Sequence, residues 1–158
     1  MRVVIALGSN IGDTNSHLHH AIDEIGKSVE IIAVSSFYKT APVGGPVQDD
    51  YLNAVLVAES GMDPLDLLII MQEIEVMAGR TREVHWGPRT LDLDLIAFGD
   101  LLISEPHLEL PHPRAHERTF VLEPWLEIDP QAQLPGRGSI SELLAVLKGE
   151  PSFLSPVP

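Results

Sequence analysis

Apolar residues along the chain fall into short blocks that alternate between strand-like and helix-like spacing. Val3 to Leu7 is an unbroken apolar run and reads as a buried first strand. Gly8, Ser9, Asn10 and Gly12 then form a turn, and Asp13 or Thr14 is placed to cap a helix reaching about Gly26. Ile31 to Tyr38, rich in β-branched residues, predicts a second strand, and Tyr51 to Ala58 a third. Between them Ala41 to Asp50 carries two prolines and two glycines and reads as a long loop. Asp63 followed by Pro64 starts a second helix, in which Leu67, Leu68, Met71, Ile74 and Glu75 keep helical spacing to about Ala78. Gly79 to Pro88 is again loop, and Leu91 to Phe98 is a fourth strand. Leu101 to Ile103 suggests a hairpin partner for it, and helices are expected near Ala115 to Trp125 and Ile140 to Leu147.

The order β-α-β-β-α-β with C-terminal additions predicts an α+β fold of the split βαβ, ferredoxin-like type, an antiparallel sheet with helices on one face. At 158 residues, without internal repeats or a dividing linker, the chain is expected to be a single domain. No stretch approaches the ~20 apolar residues of a membrane helix, so no membrane partner is expected. The opening run is too short for a secretory signal. Cysteine is absent, which rules out disulfides and thiolate metal sites and fits a cytoplasmic protein.

Charge narrows the picture further. A net charge of −13 argues against nucleic-acid binding, which needs cationic patches. An anionic ligand would need cations gathered locally. Half of the ten lysines and arginines, all five of them arginine (Arg80, Arg82, Arg89, Arg114 and Arg118), fall between positions 80 and 118. Four of the seven histidines, His85, His107, His112 and His116, share that stretch.

Within it, Trp86-Gly87-Pro88-Arg89-Thr90-Leu91-Asp92-Leu93-Asp94-Leu95 carries the sharpest chemistry. Strand alternation puts Asp92 and Asp94 on one face, roughly 6.5–7 Å apart at Cα, and the leucines on the other. Hard oxygen ligands on a rigid strand suit magnesium, which takes its remaining ligands from water and substrate phosphates. Arg80, Arg82 and Arg89 are close enough in sequence to converge on one polyphosphate, for which the guanidinium fork is suited. A solvated acidic strand face and scattered surface arginines are the plain alternatives. His112, between two prolines, sits on a stiff backbone and either donates to a phosphate or is an ordinary loop histidine. His17, His19 and His20 lie on a predicted helix without matching carboxylates and read as a polar face.

Taken together, Ser35-Ser36-Phe37-Tyr38-Lys39-Thr40, Tyr51-Leu52-Asn53-Ala54, Gly87-Pro88-Arg89-Thr90-Leu91-Asp92-Leu93-Asp94 and Pro111-His112 through Phe120 resemble the 6-hydroxymethyl-7,8-dihydropterin pyrophosphokinase family of folate biosynthesis. Gly8-Ser9-Asn10 fits too, and the resemblance runs from about residue 2 to Pro130. It implies pyrophosphate transfer from ATP to the pterin hydroxymethyl group, with two magnesium ions held by Asp92 and Asp94. By resemblance Arg80 and Arg89 neutralise the transferring phosphates, and Trp86 closes the loop that carries them. Gln72, Glu75, Arg82, His112 and Arg118 match nucleotide-side positions. Tyr51 and Phe120 match the aromatics that sandwich the pterin, Asn53 matches the side chain reading its polar edge, and the backbone from Thr40 to Val43 completes that edge. A monomer is expected on the same ground.

Departures fall on the ATP side. The segment Arg82-Glu83-Val84-His85 lacks the lysine common in the family and reads a residue shorter, Pro113 stands where some relatives have tyrosine, and His107 and Glu109 replace an arginine and a threonine. Two other readings stay open on the residues alone. One is a magnesium-dependent transferase with no pterin substrate, and the other is a ferredoxin-like ligand-sensing module with no metal dependence.

Overall fold

The computed structural model describes residues 1–40, 49–79, 90–147 and the backbone of 155–157. Strand β1 (Arg2–Ser9) leads to helix α1 (Thr14–Ile25), then β2 (Glu30–Val34), β3 (Phe37–Thr40) and β4 (Tyr51–Glu59). Helix α2 (Pro64–Met77) precedes β5 (Asp92–Phe98). A hairpin, β6 (Ile103–Glu105) and β7 (Leu108–Leu110), follows, with a 3-10 turn at Ala115–Glu117 and helix α3 (Thr119–Ile128). The described chain closes with β8 (Gln133–Leu134), β9 (Gly138–Ser139), α4 (Ile140–Val146) and β10 (Ser155–Val157).

The main sheet is antiparallel throughout, in the order β10-β3-β4-β1-β5, with β2 also paired to β4. With β2 and β3 counted together, this is the strand order of a split βαβ fold. Strand β1 lies at its centre, and the seven residues after Arg2 are all buried. An unbroken apolar run of this kind marks a strand covered on both faces. Val3, Ile5 and Leu7 pack with Leu18, Ala21 and Ile25 of α1 and Leu67, Met71 and Ile74 of α2. Val4 and Ala6 pack on the opposite side with Val121, Leu122 and Trp125 of α3 and Ile140 of α4. The expectation of helices on one face therefore holds only for the βαββαβ part. The C-terminal addition folds back over the other face, because that side of β1 and β4 is as apolar as the first.

Local chemistry accounts for the helix starts. Asp13 caps α1 by accepting from the Ser16 N–H at 3.2 Å. Asp63 accepts from the Leu65 N–H at 3.0 Å with Pro64 in the first turn of α2. Ser139 accepts from the Glu142 N–H at 3.2 Å to start α4.

Three expected elements differ. The strand anticipated over Ile31 to Tyr38 is broken at Ser35-Ser36. Val34 pairs with Leu56 and Tyr38 with Asn53, so the chain spends one residue more than β4 does over the same span. Ser35, buried, repairs the gap: its N–H donates to the Val55 carbonyl and its Oγ accepts from the Val55 N–H, each at 2.9 Å. The hairpin expected from Leu101 to Ile103 forms instead between Ile103–Glu105 and Leu108–Leu110, beside β5 and not continuous with its pairing. The helix expected over Ala115 to Trp125 divides into the 3-10 turn and α3, with Arg118 extended between them.

Ser35→Ala should lower the unfolding free energy by about 1–3 kcal/mol, because the Val55 N–H is then buried without its partner. Urea denaturation checks this.

Candidate active site

Alternation along β5 sends Leu91, Leu93 and Leu95 into the core beneath α1 and α2, and Asp92 and Asp94 to the face carrying α3. Cross-strand register then builds a row on that face. Asp92 is opposite Gly8, Gly8 is opposite Asn53, and Asn53 is opposite Tyr38. Thr40 is opposite Tyr51 one step along. Gly8 is small for a reason: a Cβ there would lie 2.9 Å from Asn53 Oδ1 and 3.6 Å from the Tyr51 ring.

Two buried polar side chains fix the ends of this row. Ser9 is fully buried and its hydroxyl donates to the Thr90 carbonyl, just before Asp92. Asn10 donates to the Asp49 carbonyl at 3.0 Å, just before Tyr51. The turn anticipated at Gly8 to Asn10 is thus the end of β1 and an anchor for both flanking strands. Sequence reading gave these two residues no such role. Polar residues directly after a fully apolar strand were the available signal.

Asn53 is buried and its Nδ2 donates to Thr40 Oγ1, also buried. Its Oδ1 is thereby turned away from Thr40 and available as an acceptor. Phe120 projects from the first turn of α3, with the Arg118 guanidinium 5.5 Å above its ring. Arg118 also lies 3.6 Å from Asp94 Oδ2, so it links the acidic pair to the aromatic. Asp92 and Asp94 are both half-buried.

His112 reaches the same corner. Its backbone N–H donates to the Ile96 carbonyl on the outer edge of β5 at 2.8 Å. Its Nε2 is 4.0 Å from Asp94 Oδ1. Burial, followed by the nearby Arg118 charge, pushes the imidazole pKa down to about 4 despite the opposing pull of Asp92. At neutral pH the ring is uncharged, so the approach to Asp94 is not an ion pair. Nδ1 accepts from the Arg114 N–H at 3.2 Å, which leaves the ring proton on Nε2, facing the carboxylate.

Glu75 and Gln72 occupy α2, which packs against the other face of the sheet. Glu75 is buried, and its carboxylate accepts the Leu93 N–H at 2.8 Å. That N–H points off the open edge of β5, so the glutamate completes the strand's hydrogen bonding there. Gln72 is exposed three residues earlier on the same helix. Glu75 from one side and His112 from the other therefore both bond the backbone of β5. A cleft of about 450 Å³ opens beside His112, bounded by Glu109, Pro113 and Arg137. Val43, Arg80, Arg82, Trp86 and Arg89 lie outside the described residues.

Fold and site define an α+β domain that presents an acidic pair, a guanidinium, an aromatic ring and an oriented carboxamide along three neighbouring strands and one helix. Residues 4–130 match the family profile of 7,8-dihydro-6-hydroxymethylpterin-pyrophosphokinase. The chain belongs to that family. It is 40% identical over 146 residues to the 2-amino-4-hydroxy-6-hydroxymethyldihydropteridine pyrophosphokinase of Pseudomonas aeruginosa, covering 91% of this chain and 90% of that one. It is 45% identical over 131 residues to the Bacillus subtilis protein of the same name, covering 82% and 78%. The bifunctional protein FolKE of Lactococcus lactis is 44% identical over 126 residues, which span 78% of this chain but 36% of that protein. Among solved structures, wild-type Plasmodium falciparum HPPK-DHPS with pteroate superposes with a TM-score of 0.71 at 14% identity, over 92% of this chain and 42% of that one. This last likeness speaks to the fold.

The His112 titration gives a direct check. Its folded pKa of about 4 lies below the ordinary value of 6.5, so the unfolded chain takes up the proton first as pH falls. The stability tied to this neutral ring is full above pH 6.5 and is lost as pH drops toward 4. NMR of the imidazole should show titration near pH 4, and denaturation of His112→Gln should fall less steeply over that window. A midpoint near 6.5 would contradict the assignment.

Proposed function

We propose that the protein transfers pyrophosphate from ATP to the hydroxymethyl group of 6-hydroxymethyl-7,8-dihydropterin, releasing AMP and the pterin diphosphate, as a cytoplasmic monomer in folate biosynthesis. Family membership supports the reaction. The observation that carries it to this chain is the single sheet face on which Asp92, Asn53 and Tyr51 stand within one step of register, with Phe120 of α3 packed against the apolar cluster on that face.

On this reading the flat pterin is held between Tyr51 and Phe120, with the Asn53 carbonyl accepting from the N–H groups of its polar edge. Thr40 holds the Asn53 amide in the orientation that this requires. Backbone groups from Thr40 to Val43 complete the edge. The hydroxymethyl oxygen attacks the β-phosphorus in line, and the bond to the α,β-bridging oxygen breaks with AMP leaving. Arg118 supplies a positive charge and the neutral His112 an uncharged N–H donor, and both orient the phosphates. Because His112 presents an N–H, it does not serve as the base, and no described side chain is assigned that role. Catalysis rests on positioning and charge neutralisation. Arg80, Arg82, Arg89, Trp86, Gln72 and Glu75 are assigned to the ATP side by family resemblance.

The donor set fits magnesium. Asp92 and Asp94 offer hard oxygens from one strand face, and no group of three protein ligands exists among the described residues, which suits an ion that keeps water and phosphate ligands. Two such ions bound by these aspartates would draw charge from the ATP phosphates and orient the attacked phosphorus.

Titration calorimetry with a nonhydrolysable ATP analogue and 6-hydroxymethylpterin, with and without magnesium, tests the proposal on wild type and Asp92→Ala. Magnesium-dependent nucleotide binding that tightens pterin binding, lost in Asp92→Ala along with on the order of 10²–10³ in kcat, is the expected result. Phe120→Ala should weaken the pterin about tenfold. Nucleotide binding without pterin binding would favour a different magnesium-dependent transferase.

A further inference from the structure

Glu127, in the last turn of α3, accepts from β3 and from the break before it. One oxygen receives the Ser36 N–H at 3.0 Å and the Ser36 hydroxyl at 3.0 Å. The other receives the Tyr38 hydroxyl and a longer contact from the Ser36 N–H at 3.2 Å. Tyr38 is 7% exposed, although the glutamate itself stands at the surface. Burial, reinforced by Glu127, raises the phenol pKa to about 12, so the hydroxyl keeps the proton it donates.

Placement gives these bonds a consequence. Tyr38 is the register partner of Asn53, and Thr40, two residues on, holds the Asn53 amide. Phe120 stands at the opposite end of α3 from Glu127. The helix also contains Pro124, which cannot donate the helical hydrogen bond to the Phe120 carbonyl. With that rung missing, the line of the helix depends on how its two ends are held. Arg118 holds one end against Asp94, and Glu127 holds the other against Ser36 and Tyr38.

We propose that Glu127 is a positioning residue for the pterin site: through Tyr38 and Ser36 it staples the end of α3 to β3 and sets the separation between Phe120 on the helix and Asn53 and Thr40 on the sheet. The inference rests on the pterin reading above. Its effect falls on pterin binding, because the nucleotide side has its own anchor in the Arg118–Asp94 pair.

Calorimetry on wild type, Tyr38→Phe, Glu127→Gln and the double variant, with magnesium and the ATP analogue present, decides the matter. Each single variant should weaken 6-hydroxymethylpterin about tenfold, in keeping with a lost charge-assisted hydrogen bond. The double variant should be no more than about twofold worse than Glu127→Gln alone, since the Tyr38–Glu127 bond is common to both changes. Nucleotide affinity measured without pterin should stay within about twofold of wild type. Glu127 is exposed, so Glu127→Gln keeps the test available if Tyr38→Phe folds poorly. Wild-type pterin affinity in both singles, losses that multiply in the double, or an equal fall in nucleotide affinity would each overturn the staple. Failure of wild type itself to bind pterin would instead overturn the functional reading, and the staple with it.

Discussion

Everything at the site hangs on how the central strand ends. For most of its length β1 is apolar on both sides, because helices cover both faces of the sheet. A strand so enclosed has little freedom of register, since a one-residue slip would exchange every side chain between two packed cores. Its last residues inherit that rigidity. Gly8 leaves room between Asp92 on one neighbour and Asn53 on the other, and Ser9 and Asn10 tie down the carbonyls of Thr90 and Asp49. The acidic pair and the aromatic–amide platform come from strands far apart in sequence, and β1 fixes the distance between them.

What could be read from the sequence followed from local period. Asp92 and Asp94 share a face because strands alternate, and the leucines between them face the α1 and α2 core as expected. The caps at Asp13 and Asp63 were equally local. Features decided at long range were not legible. In the run from Ile31 to Tyr38 the Ser35-Ser36 pair is a polar interruption, but local period does not show that it breaks the strand, which depends on Val55 and Glu127. Glu75 kept the helical spacing and matched a nucleotide-side position by resemblance, but its burial makes sense only once the outward Leu93 N–H is known. The apolar face that receives α3 and α4 was visible as unbroken hydrophobicity in β1, yet that pattern does not say which segment will cover it.

The charge balance of the site bears on how it would hold the proposed nucleotide. Within the described residues, Asp92 and Asp94 bring two formal negative charges and Arg118 one positive charge, while His112 is neutral at pH 7. The chain as a whole carries −13. On the proposed reading, long-range repulsion opposes a polyphosphate, and only short-range cations can reverse the sign. Two sources would serve on that reading: divalent ions on the aspartates, and the arginines at 80, 82 and 89, which precede β5 in the sequence. Affinity for ATP is expected, on the same reading, to depend on metal. A neutral His112 suits this arrangement, because it donates a hydrogen bond without a charge that would compete with a cation beside Asp94. The depressed imidazole, the acidic pair and the global acidity are consistent parts of one electrostatic design, in which the described residues leave the corner at Asp92 and Asp94 net negative and the compensating charge comes from elsewhere.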